Sequence, residues 1–227
     1  MPLQSTHSSA DNAPLSRSVP GSLRIEQLVL TRQNTPLLSL NETINGGDIL
    51  TIMGPSGSGK STLLNWLTGM LPQGFSAQGQ LHLNGHNITV TASHLRHIGI
   101  LYQDPLLFPH LSVAGNIAFA MPKGDAPLRR QQISQALEQV GLAGMEQRKT
   151  QSLSGGQQAR VALLRVLLSQ PEAILLDEPF SKLDSQLRQE TRQLVFDLIK
   201  RHQLPVVMVT HDQTDANAAK GKVITLT

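Results

Sequence analysis

The sequence predicts an α/β fold, a mixed sheet interrupted by an inserted helical subdomain. Three observations predict it. Short apolar runs with strand character recur near both ends of the chain, and a Gly-rich loop joins one of them directly to an apolar helix. Between about Asp104 and Gln170, helical signals dominate.

Taken in order, residues 1–22 hold six Ser and three Pro and no apolar period. Such a segment cannot bury enough surface to offset its ordering entropy, so a disordered N-terminal tail is expected. It also lacks the apolar region of a secretory signal. From Leu23, LRIEQLVL alternates apolar and polar residues like a half-buried strand, and LLSLNETI reads as a second one. Asn45-Gly46-Gly47 is a turn, after which DILTIMG forms a short strand. Its helix, STLLNWLTG, carries Trp66, expected in the core. Gln80–Leu83 and Ile98–Tyr102 are further strands. In the helical segment, ISQALEQVGL sets Ile133, Leu137 and Val140 at helical spacing, and GGQQARVALLRVLL is a second amphipathic run. Strand character returns in EAILLDEP, LPVVMVTH and KVITLT. The expected division is a core of residues 23–102 and 171–227 around a helical subdomain of about 103–170.

Composition narrows the class. With 227 residues the chain can bury a full core. Nineteen Lys and Arg against sixteen Asp and Glu leave a net charge of +3, too thin for a nucleic-acid surface. Cysteine is absent, which excludes disulfides, thiolate metal sites and a cysteine nucleophile, and fits a reducing compartment. No apolar run approaches the ~18 residues of a membrane span.

The strongest motif is Gly54-Pro55-Ser56-Gly57-Ser58-Gly59-Lys60-Ser61, followed by Thr62. It fits G-x-x-x-x-G-K-[ST] between a strand and a helix, the context of a phosphate loop. Glycines let backbone N–H groups curl around phosphate oxygens, and the helix aims its positive end at them. Lys60 would neutralise the β- and γ-phosphates and Ser61 would place its hydroxyl on Mg²⁺. The run Ala173–Leu176 then ends in Asp177-Glu178, two acids at the carboxyl end of a buried strand. Asp177 is placed to hold Mg²⁺ and Glu178 to polarise an attacking water. Together these features specify a P-loop NTPase core.

Leu153-Ser154-Gly155-Gly156-Gln157 matches the LSGGQ signature of the ATP-binding cassette (ABC) ATPases, 23 residues before Asp177. The chain resembles that family over roughly residues 23–215, with Gln103 as its Q-loop, Ser181–Asp184 as its D-loop and His211 as its switch histidine. LFPHLSV after Gln103 and LLDEPFSKLD look most like ATP-binding subunits of bacterial importers for thiamine, ferric iron, sulfate or polyamines. Read from the residues, Ser154-Gly155-Gly156 opens a helix with small residues and a hydroxyl, a second anion-binding helix end. The resemblance implies that Ser154, Gly155, Gly156 and Gln157 reach the γ-phosphate held by another copy, in a head-to-tail dimer around two ATP molecules. It implies that Gln103 contacts Mg²⁺ and the attacking water, that His211 hydrogen-bonds the γ-phosphate, and that Asp184 shapes the dimer contact. Lys182 carries no assigned role, and the other seven histidines are expected at the surface.

Two departures stand out. Family members usually stack adenine on an aromatic residue upstream of the phosphate loop, yet residues 23–53 contain no Phe, Tyr or Trp. Arg32, near that position, could stack through its guanidinium face. Only 16 residues follow His211, so no regulatory domain is expected there. The resemblance implies an ATP-hydrolysing subunit in the cytoplasm, peripheral on the inner face of the membrane. Its expected partners are a second copy, integral permease subunits docking on the helical subdomain, and a secreted substrate-binding protein of the same system. An exporter, a cell-envelope complex or a soluble cofactor-assembly complex are the alternatives.

Overall fold

The computed structural model describes residues 21–226. The expected disordered tail lies outside the described residues up to position 20. Ser22, assigned to that tail by its composition, is the first residue of a strand, paired with Asn45.

The chain begins with β1 (Ser22–Arg32) and β2 (Thr35–Asn45), joined by a hairpin at Gln33 and Asn34 with φ of 48° and 66°. Next come β3 (Ile49–Met53), α1 (Lys60–Thr68), β4 (Phe75–Leu83), β5 (His86–Asn87) and β6 (Ile98–Leu101). Three helices follow, α2 (Val113–Ala120), α3 (Ala126–Gln139) and α4 (Gly155–Leu167). The chain then runs through β7 (Ala173–Asp177), α5 (Ser185–His202), β8 (Val206–Val209), α6 (Gln213–Ala219) and β9 (Val223–Thr225). The strands of both orientations sort into two sheets. One is antiparallel, in the order β2-β1-β4-β5, and the other is parallel, in the order β6-β7-β8-β3-β9.

The parallel sheet is covered on both faces, which is why its strands read as unbroken apolar runs. Ala173, Leu175, Val207 and Val209 pack on one side with α1 and the antiparallel sheet. Ile174, Leu176, Val206 and Met208 pack on the other, with residues of α2–α5. Trp66 lies buried in the first layer, as expected. The α1 helix stops at Gly69, whose φ of 76° is left-handed. Beyond it the buried Arg96 guanidinium donates to the Trp66 and Leu67 carbonyls at 2.8 and 3.0 Å and to Thr89 and Thr91. A cation on the terminal carbonyls satisfies acceptors that the helix cannot and complements its dipole.

Register positions the chemistry. Val209 at the end of β8 is the partner of Ile52 in β3 and of Asp177 in β7. Three segments far apart in sequence therefore end side by side, each with its loop on the carboxyl edge, where open α/β sheets place ligands.

Candidate active site

The loop leaving β3 turns back onto the hairpin of the antiparallel sheet. Gly59 has a left-handed φ of 95°, and a Cβ there would lie 2.9 Å from the Leu37 side chain. Only glycine meets both demands, so the motif's last glycine is fixed by packing as well as by phosphate geometry. Lys60 begins α1, and its Nζ donates to the Gly54 and Pro55 carbonyls at 2.6 and 2.7 Å. These bonds hold the ammonium over the loop. Ser61 is exposed on the first turn, Ser58 is buried with no hydrogen-bond partner for its hydroxyl among the described residues, and Thr62 is half-buried.

Asp177 ends β7, and its carboxyl is held above the usual range by burial and by the neighbouring Glu178 charge, with Lys60 acting in the opposite sense. A half-buried pair of acids facing an ammonium suits a hard cation. Glu178 takes a left-handed φ of 45°, a conformation that costs a non-glycine residue roughly 1–3 kcal/mol unless its surroundings hold it. Its N–H donates to Val209 O at 3.0 Å, and its carbonyl accepts from the Ser181 N–H and hydroxyl at 3.3 and 2.9 Å. The turn swings the Glu178 carboxylate toward His211, whose Nδ1 lies 3.1 Å from Glu178 Oε2.

Models of known families match residues 37–181 to the family described as "ABC transporter". Relatives are similar over most of the chain. An uncharacterized ABC transporter ATP-binding protein of Escherichia coli (strain K12) is 51% identical over 185 residues, 80% of this chain and 84% of that protein. A thiamine import ATP-binding protein of Jannaschia sp. (strain CCS1) is 45% identical over 87% of this chain and 86% of its own. An Fe(3+) ions import ATP-binding protein of Photobacterium profundum is 37% identical over 85% of this chain and 55% of its own. The chain belongs to the ABC transporter family. It is an ATP-hydrolysing subunit of that family, as its resemblance implied.

The other motif residues of this ABC ATPase lie on separate elements. Ser154 and Gln157 form a capping box at the start of α4. The Ser154 hydroxyl accepts from the Gln157 N–H at 3.3 Å, and Gln157 Oε1 accepts from the Ser154 N–H at 3.0 Å. Gly155 is exposed, whereas Gly156 is buried against Leu187 of α5. Asp184 caps α5, accepting from the Leu187 N–H at 3.1 Å. Gln103 is exposed just beyond β6, whose Leu101 pairs with Leu176. The six other described histidines are exposed or half-buried.

Several interacting residues lie outside every motif. Arg32 already has an aromatic partner, because its guanidinium sits 5.7 Å from the Phe75 ring across the β1–β4 register. Phe75 follows the phosphate loop in sequence, so a search upstream of the loop could not find it. The segment after Gln103 is held from three sides. Arg165 of α4 donates to the Leu106 and Pro105 carbonyls at 2.8 Å, and Lys182 pairs with Asp104. The buried Asn116 of α2 accepts from the Phe108 N–H at 2.8 Å and donates to the Phe108 and Ser112 carbonyls at 3.1 Å. These contacts present Leu106 and Phe119, both mostly exposed, beside Phe108, whose ring meets Phe119 edge-on at 4.7 Å. Burial lowers the Arg165 pKa, the cost of seating a guanidinium under this loop.

Proposed function

We propose that this chain powers a membrane importer by hydrolysing MgATP between two copies of itself. The observation that carries the reading is the convergence of Gly54–Ser61, Asp177, Glu178 and His211 at adjacent strand ends, with Glu178 and His211 in contact. The phosphate loop binds the β- and γ-phosphates, with Lys60 opposing their charge. Mg²⁺ would be shared between protein and phosphate oxygens. Ser61, Asp177 and Gln103 would hold the ion, which supplies charge neutralisation on the phosphates. Glu178 orients and deprotonates the attacking water, and His211 steadies the γ-phosphate. Catalysis is then positioning and charge stabilisation, as phosphoryl transfer requires.

Residues Ser154–Gln157 of one copy complete the site of the other. Their helix start exposes Gly155 while the capping box fixes its direction. Import is supported by the names of the relatives, which include thiamine, Fe(3+) and spermidine/putrescine import ATP-binding proteins. The exposed Leu106 and Phe119 edge is the docking face for a permease helix at the inner membrane surface, and a secreted binding protein would deliver substrate to that permease. Among the described residues no helix is long and apolar enough to cross a membrane. The test is Glu178→Gln in the purified chain. It should lose turnover and accumulate an ATP-dependent dimer in size-exclusion chromatography, and hydrolysis at the wild-type rate overturns the base assignment.

A further inference from the structure

The His211 side chain is 63% exposed, yet its Nδ1 lies 3.1 Å from Glu178 Oε2. An exposed ring keeps such a contact only if the backbone carrying it is fixed, because little surrounds the side chain itself. On one flank, Thr210 N donates to Ile52 O at 3.2 Å, which ties the backbone to the sheet. On the other flank stands Asp212, whose N–H donates to the Thr210 hydroxyl at 3.0 Å. Its Oδ1 caps α6, accepting from the Thr214 and Asp215 N–H groups at 2.7 and 3.3 Å. Its Oδ2 accepts from Arg188 Nη1 at 2.7 Å.

Arg188 reaches further. Its Nη2 donates to Ser181 O at 3.2 Å and to Leu183 O at 3.5 Å, in the loop that follows Glu178. Ser181 in turn donates to the Glu178 carbonyl. The contacts close a ring, from Glu178 through Ser181, Arg188, Asp212 and His211 back to Glu178. Both charged side chains are about three-quarters buried, at 26% and 25% exposure. We propose that Arg188 is a positioning residue, which sets His211 against Glu178 by holding Asp212 and the Ser181–Leu183 carbonyls with one guanidinium. The role rests on the reading of Glu178 and His211 as the working pair. Burial disfavours the Asp212 charge, but hydrogen bonds from Thr214 and Asp215 and the Arg188 charge outweigh it and hold this carboxyl below its ordinary value.

A plain anchor between α5 and α6 is already supplied one turn on. Arg192 Nη1 donates to Asp215 Oδ1 at 2.9 Å, with the two side chains only 14% and 2% exposed. Among the described residues neither side chain of that pair hydrogen-bonds His211 or the loop after Glu178, so it serves as the structural comparison.

The experiment uses the full chain with Arg188→Met, Arg188→Lys, Arg192→Met and His211→Ala, and Arg188→Met combined with His211→Ala. Arg188→Met should lower kcat about ten-fold or more with KM for MgATP within about two-fold, and Arg188→Lys should recover part of the loss. Arg192→Met should lower Tm at least as much as Arg188→Met while keeping kcat within about two-fold. In the His211→Ala background, Arg188→Met should change residual kcat by less than about two-fold, because the two act as one unit. The His211 ring resonance should move to that of a mobile, exposed histidine in Arg188→Met and stay in place in Arg192→Met. Equal kcat losses in the two arginine variants, or an unmoved His211 resonance in Arg188→Met, would overturn the proposal. Wild-type kcat in His211→Ala would instead overturn the role of His211, and the resonance would still decide whether Arg188 positions that ring.

Discussion

A Cβ placed on Gly156 would lie 2.4 Å from Leu187 Cδ2, so the first turn of α4 rests directly on α5. This glycine is held by packing within one chain, in addition to any contact across a dimer. Gly156→Ala should destabilise the isolated chain by about 1–3 kcal/mol through overpacking, read from denaturant unfolding. Leu187→Ala in the same chain should return much of that loss. An unchanged midpoint in Gly156→Ala would show that the two helices part without cost.

Asp177 gives a pH signature. Its pKa in the folded chain is raised, through burial first and the Glu178 charge second. A group with a raised folded pKa favours folding below its unfolded value and loses that contribution as pH rises through the folded one. Asp177→Asn, which removes the ionised form, should therefore raise Tm of the nucleotide-free chain at neutral pH. The gain should vanish below the ordinary value of 3.8. Calorimetric scans across that range would measure it, and a lower Tm at neutral pH would contradict the sign.

Phe75, under the Arg32 guanidinium, would give the base an aromatic surface of the kind that residues 23–53 lack. Phe75→Ala should raise KM for ATP about two- to ten-fold, the range expected for losing one aromatic contact, with kcat preserved. Steady-state kinetics test this, and an unchanged KM would mean that adenine lies elsewhere.

Asn116 is fully buried, and its amide satisfies backbone groups of the loop carrying Phe108. Asn116→Ala would leave the Phe108 N–H without its acceptor, at a cost of about 1–3 kcal/mol. Basal hydrolysis by the isolated chain should remain, whereas stimulation by the reconstituted permease should fall. Loss of both together would place Asn116 in general stability instead.

The two cores are unequally legible in the sequence. The buried strands β7 and β8 announce themselves as unbroken apolar runs, and the phosphate loop is readable because its spacing is dictated by phosphate geometry. Strand β4 is visible only from Gln80, because its first half, FSAQG, is polar and crosses an irregularity. There Gly79, at φ 120°, faces the shifted register between Glu26 and Val29. The separation into two sheets follows from long-range pairing, which local periodicity does not record. Helix α5 leaves little trace because its apolar stripe is narrow, with buried Val195, Phe196, Leu198 and Ile199 confined to its second half. In the site, residues acting by chemistry are found through motifs. Those acting through geometry, such as Phe75, Asn116 and Arg188, have meaning only once distant segments meet.

Val209, the shared register partner of Ile52 and Asp177, gives the site a common datum. The phosphate loop, the acids and the histidine are all measured from the same rung, with no loop-to-loop adjustment needed to bring them into phase. Such an arrangement tolerates drift in loop sequence but very little slippage of β8. A one-residue slip would carry His211 about 3.3 Å along the sheet relative to both neighbours and exchange the faces on which Val206–Val209 pack.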